Sequence, residues 1–200
     1  MPLNPFTSPA RIKGLFDWRK RGYSDHAPQF IKLAILEKYA LDGATWVETG
    51  TFMGATTRFL ASLAPKVFTV EPAPKLFARA ERKFAGTHVT VLNGVSEEVF
   101  PDLLPQITGD VCFWLDGHYS AGQTFKGATD CPVEDELSAI EASLPNFEKI
   151  SILIDDVRCF LSTADDFADY PSIDYLVDWA RKHGFNWRIE QDIFIIRNWI

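Results

Sequence analysis

Apolar positions along most of the 200-residue chain alternate between two periods. From Pro28, Ile31, Ala34, Ile35 and Tyr39 share one face at the helical period, Phe30, Leu33 and Leu36 widen the stripe, and Asp42-Gly43 ends it. A short apolar run follows, Thr45-Trp46-Val47, closing on Glu48-Thr49-Gly50 and leading into a second helical stretch over 55–63. The same strand and helix alternation then recurs, with strands over 67–70, 89–92, 111–115 and 150–154 separated by helices over 74–84, 96–104 and 133–144. Repeated βα units predict a parallel sheet with right-handed crossovers. After Pro171 a helix runs to about residue 183 and Gly184 closes it, and strands over 186–190 and 193–197 follow with too short a join to be anything but antiparallel.

The expected fold class is therefore α/β, a Rossmann-like sheet of seven strands, mostly parallel, with a terminal antiparallel hairpin and helices on both faces. Residues 1–27 stand outside this alternation. They carry Pro2, Pro5, Pro9 and the basic run Arg19-Lys20-Arg21, and read as an N-terminal leader or a flap over a ligand, ahead of a single domain over 28–200.

Composition narrows the picture. At 46% apolar and 24% charged residues the chain can bury a sizeable core. The 27 acidic residues outnumber the 20 basic ones, and a formal charge of −7 counts against a general nucleic-acid or anionic-membrane surface without excluding a local patch. No stretch approaches the roughly 18 apolar residues of a membrane span, and no signal-type apolar region precedes Arg11 and Lys13, so a cytoplasmic protein without a membrane partner is expected. Cys112, Cys131 and Cys159 are too widely spaced for a zinc site and read as thiols, mostly buried.

In open α/β sheets a ligand lies beyond the carboxyl ends of the strands. The first such tip reads Glu48-Thr49-Gly50-Thr51-Phe52-Met53-Gly54: Gly50 would permit a tight turn near a ligand and Gly54 a close helix start, although a purely structural βα turn has the same form. Glu71, at the next tip and 21 residues after Gly50, is placed to accept hydrogen bonds from both hydroxyls of a ribose. Phe52 stands where a pyrophosphate-binding turn has its second glycine, which counts against NAD and favours a cofactor with a ribose and no phosphates. Glu48 would then hold an ammonium group near the turn.

The run from Val47 to Gly54 resembles motif I of the class I S-adenosylmethionine-dependent methyltransferases, and Glu71 sits where that family has its ribose-binding acid. The order of elements over roughly 28–200 is also like theirs. The resemblance implies S-adenosyl-L-methionine as cofactor, with Asn93, Gly94 and Ser96 beside the adenine.

The fourth and fifth strands end in Asp116 and in Asp155-Asp156. If these strands are adjacent, three carboxylates crowd into one region and need a proton or a cation, for which Mg²⁺ or a similar divalent ion is the simplest solution. The other reading is that these acids only cap turns and helix starts. The set is similar to the metal-binding acids of the divalent-cation-dependent O-methyltransferases of the catechol and macrolide-sugar type. The resemblance implies Asp116, Asp155 and Asp156 as metal ligands, with Asp116 in the catalytic centre. The sequence departs from the catechol type in having His118 and Tyr119 where that type has a lysine, and the base is read as His118, whose near-neutral imidazole suits removal of a hydroxyl proton, with Tyr119 as the alternative. The loop from Tyr119 to Cys131, with Gly122, Gly127 and Lys126, reads as a lid or binding loop. The expectation is metal-assisted methylation of a small hydroxylated acceptor, in a chain that could form a homo-oligomer. A metal-independent methyltransferase, a non-catalytic cofactor-binding module and, more remotely, an NAD-dependent oxidoreductase are the competing readings.

Overall fold

The computed structural model describes residues 8–23, 27–117, 131–161 and 167–200. Its elements follow the expected alternation. Helix α1 (Pro9–Lys20) is capped by the Ser8 hydroxyl, which accepts from the Arg11 N–H, and buries Trp18. Helix α2 (Gln29–Lys38) precedes β1 (Thr45–Thr49), α3 (Ala55–Leu63), β2 (Lys66–Glu71), α4 (Pro74–Phe84), β3 (Val89–Asn93), α5 (Ser96–Leu103) and β4 (Gly109–Leu115). The second half comprises α6 (Val133–Ser143), β5 (Phe147–Ile154), the single turn α7 (Val157–Phe160), α8 (Ile173–Lys182), β6 (Asn186–Glu190) and β7 (Ile193–Arg197).

The seven strands form one sheet in the order β3-β2-β1-β4-β5-β7-β6, in which β7 alone runs against the rest. The central strands are buried on both faces, so their residues divide by parity between two cores. Val111, Phe113 and Leu115 of β4 point to a core shared with Phe100 of α5, Leu137 and Ile140 of α6 and Leu176 of α8. Cys112 and Trp114 point to the other, shared with Leu36 of α2, Leu60 of α3 and Phe84 of α4. All three cysteines are buried free thiols, as expected. Among the described residues no helix is long and apolar enough to cross a membrane.

Three features lie outside the sequence expectation. Part of the presumed leader is helix α1, whose Gly14 lies against Pro28 and Phe30. The turn α7 follows β5 directly. And β7 inserts between β5 and β6, a placement that hairpin chemistry alone leaves open.

Candidate functional site

Registry brings the chemistry-bearing tips together. Thr49 pairs with Val70 of β2 on one side and Leu115 of β4 on the other, and Leu115 pairs with Ile154 of β5. The residues that follow, from Gly50, Glu71, Asp116 and Asp155, therefore line one edge of the sheet. The adjacency of β4 and β5 that the carboxylate argument required is present.

At the β1–β2 end the turn is built from the backbone. Gly50 has φ +84°, and a Cβ there would lie 2.4 Å from the Asp116 carbonyl oxygen, so a glycine is needed because the chain passes against the β4 tip. Gly54, at φ +66°, is packed by Phe84 and by Lys83, whose ammonium donates to the carbonyls of Met53 and Gly54 at 2.7 and 2.6 Å. Phe52 takes the left-handed conformation, which aims its N–H at Glu71 Oε2 at 2.7 Å. Glu71 Oε1 accepts from the Ala73 N–H at 2.9 Å. Each oxygen of this carboxylate thus takes one backbone donor and keeps a lone pair. Asn93, at the β3 tip, donates to the Glu71 carbonyl at 2.9 Å, which ties the third tip to the second.

Glu48 is fully buried. Its Oε2 accepts from Thr57 and Thr69 at 2.5 and 2.6 Å, and Thr69 meets Thr51 at 2.6 Å, while Oε1 has no hydrogen-bond partner. Burial pushes the carboxyl up to about 7, with the two threonine hydroxyls acting in the opposite direction.

Glu136, on the first turn of α6, was not anticipated. It follows Glu134 and Asp135 and reads in sequence as one of three acids favouring a helix N-terminus. In the fold it is buried, lies beside the hydroxyls of Ser96 and Thr49, and has its Oε1 without a partner 3.5 Å from where a Cβ on Gly117 would be. Burial raises it to about 7 as well.

At the β4–β5 end the expected divalent-ion set has a different arrangement. Lys32 of α2, itself buried, reaches Asp155 Oδ2 at 2.5 Å and Asp156 Oδ1 at 3.4 Å. Asp156 adopts a left-handed conformation, which turns the chain after Asp155 so that both acids meet Lys32, and is also paired with Arg158 at 2.9 Å. Arg158 in turn pairs with Asp192 of the β6–β7 turn. Asp155 Oδ1 is buried without a partner. Burial raises Asp155 to about 6 against the pull of Lys32, and raises Asp116 well above the usual carboxylate range, with the neighbouring Asp155 charge as the next cause. Among the described residues no group of three or more His, Cys, Asp or Glu side chains is placed to hold a metal ion. The residues present do not fit a ready Mg²⁺ site, because the cation these acids need is already an ammonium. Lys32 was missed because it sits inside the apolar stripe of α2, between Ile31 and Leu33; the available signal was an acid cluster in want of a cation and a lysine on a helix face otherwise destined for the core.

His118, Tyr119, Gly122, Lys126 and Gly127 lie outside the described residues.

No family model matches the sequence, and no curated protein does. Solved structures do. A protein assigned as an rRNA methylase from Clostridium thermocellum superposes with a TM-score of 0.55 at 15% identity, over 87% of this chain and 97% of that one. The 23S rRNA methyltransferase ErmE gives 0.51 at 19% identity, over 87% of this chain and 68% of that one. DhpI, in its SAH complex, gives 0.50 at 15% identity, over 84% and 83% of the two chains. At such identities the likeness is one of fold, and it extends over nearly the whole sheet and its helices: the chain has the mixed seven-stranded fold of these methyltransferases.

Proposed function

We propose that the protein is an S-adenosylmethionine-dependent methyltransferase acting on the hydroxyl of a small acceptor. The observation that carries the reading is the pair of tips at β1 and β2, where a left-handed glycine turn stands against a buried glutamate whose two oxygens each keep a lone pair for a ribose hydroxyl. The shared fold supports it, and DhpI was solved with SAH bound. The chemistry of the donor set supports it too. Carboxylates at four strand tips or beside them, Glu48, Glu71, Asp116 and Asp155, suit a ligand that carries positive charge and hydroxyl donors.

When bound, S-adenosylmethionine would supply a methyl group on a sulfonium sulfur, to be transferred to the acceptor oxygen in line with the departing thioether, so the protein's part is to align donor and acceptor. In this reading Glu71 binds the ribose, and Asn93 and Ser96 stand on the adenine side. Glu48 and Gly50 stand at the amino-acid end. Asp116 lies on the acceptor side, and His118, two residues along the chain, takes the acceptor proton. No step is assigned to Mg²⁺, since Lys32 holds the position that an ion shared by Asp155 and Asp156 would need.

Titration calorimetry with SAH and with NAD tests the cofactor: SAH should bind and NAD should not. Incubation of the protein with S-adenosylmethionine and a panel of hydroxylated small molecules, read by mass spectrometry, tests the chemistry. His118→Ala should slow turnover by about 10²–10⁴-fold with SAH affinity unchanged. SAH binding with no methylated product from any acceptor would leave a cofactor-binding module.

A further inference from the structure

The acids at the β4 and β5 tips come from segments far apart in the chain, and so do the cations that face them. Lys32 projects from α2, Asp116 follows β4, Asp155 and Asp156 follow β5, Arg158 opens α7 and Asp192 lies in the β6–β7 turn. Glu48 of β1 faces the same region and adds negative charge beside Asp116. Of the two cations, only Lys32 is buried and touches both acids of the β5 tip. Arg158 stands on the outer side, bridging Asp156 to Asp192.

A divalent ion held by Asp155 and Asp156 would lie about 2.1 Å from their oxygens. The Lys32 ammonium is already 2.5 Å from Asp155 Oδ2 and 3.4 Å from Asp156 Oδ1, so ion and ammonium compete for one space and repel each other there. The ammonium also offers what the acids need: its donors reach both carboxylates, and Asp116, Asp155 and Asp156 all favour its charged form over the cost of burial.

We propose that Lys32 is the resident cation of this site, occupying the place that a divalent ion takes in a metal-assisted enzyme, and that removing its charge converts the cluster into a divalent-cation site. Lys32 is then a positioning residue, which holds Asp155 through Oδ2 and fixes its carboxylate at the β5 tip. Only the consequence for turnover rests on the methyltransferase reading. The cation exchange rests on Lys32 and the acids alone.

The test uses the full chain without cofactor, and Mn²⁺ alone as the probe, followed by electron paramagnetic resonance. Wild-type protein should show no saturable Mn²⁺ binding that Asp155→Asn abolishes. Lys32→Met should gain a saturable site, tighter than any in the wild type by at least about tenfold because one competing positive charge is gone, and the Lys32→Met/Asp155→Asn double variant should lose it. Mg²⁺ should raise the melting temperature of Lys32→Met and leave that of the wild type unchanged. Saturable wild-type binding that disappears in Asp155→Asn would overturn the proposal, as would a folded Lys32→Met protein with no new site. Should Lys32→Met fail to fold, the wild-type and Asp155→Asn comparison still decides whether the native cluster takes an ion. Where a methylated product has been found, wild-type turnover should persist in excess chelator, and its loss would overturn the proposal. If no product is found, the Mn²⁺ titrations give their answer regardless, so the two readings fail separately.

Discussion

The two ends of the strand-tip cleft are built in different ways. At the β1–β2 end, position and polarity come from the backbone: Gly50 passes against the Asp116 carbonyl, and the N–H groups of Phe52 and Ala73 hold the Glu71 carboxylate. The groups around Glu48 are neutral hydroxyls from neighbouring elements. At the β4–β5 end, order comes from charged side chains more than a hundred residues apart, as between Lys32 and Asp155. A site held by backbone tolerates little change in the residues that shape it but carries little net charge. A site held by ion pairs depends on which cation is present, and can be reset by changing one side chain.

The largest expected effect tests whether the two ends are interlocked. Gly50→Ala would combine a left-handed backbone with a Cβ 2.4 Å from the Asp116 carbonyl oxygen. Strain of about 1–2 kcal/mol and overpacking of about 1–3 kcal/mol give a loss of about 3 kcal/mol in urea denaturation. A loss below about 1 kcal/mol would mean that the β1 turn and the β4 tip move apart freely. Glu71→Ala should weaken SAH binding by about 1.5–3 kcal/mol, the range for charge-assisted hydrogen bonds. Unchanged affinity in titration calorimetry would remove the ribose from this end of the cleft.

Glu48 sharpens the comparison through pH. Its folded-state value, about 7, lies above the model-compound value of 4.5, so the protonated form is favoured by folding. Its contribution to stability is therefore complete below about 4.5 and is lost as the pH rises through about 7. Between pH 5 and 8 the wild type should lose about 2 kcal/mol relative to Glu48→Gln, whose amide does not ionise. Parallel urea midpoints for the two proteins across that range would show that Glu48 is already ionised at low pH. The smallest effect is expected at the outer ion pair. Arg158→Met should cost about 1 kcal/mol at low salt and less at high salt, since the guanidinium is part-exposed. A melting temperature unchanged at low salt would leave Lys32 as the only cation, among the described residues, on which this end depends.

Where the physics is local, the sequence was legible. The strands and helices of the alternating core and the tight turn at Gly50 were readable from period and glycine placement, whereas the adjacency of β4 and β5 entered only as a condition that the strand order then met. Gly50 was read as a tight turn near a ligand, but the neighbour that demands a glycine there is Asp116, which follows another strand. Glu136 follows two other acids at a helix start and has no signal of its own in the sequence; the fold buries it beside Ser96 of α5 and Thr49 of β1.

The sequence by itself determined the class of fold and the residue types at each strand tip, because hydrophobic period and turn chemistry act over a few residues. Tertiary structure alone decided which charges meet. The attraction between Lys32 and Asp155 spans 123 positions and leaves no periodic trace in either segment. The same holds for the left-over acceptors of Glu48, Glu136 and Asp155, which are unpartnered only because the fold removes them from water. The need for a cation could be read from the acids; its identity as an ammonium from α2 required the helix to be packed in place, because the cost of burying a charge is set by everything around it.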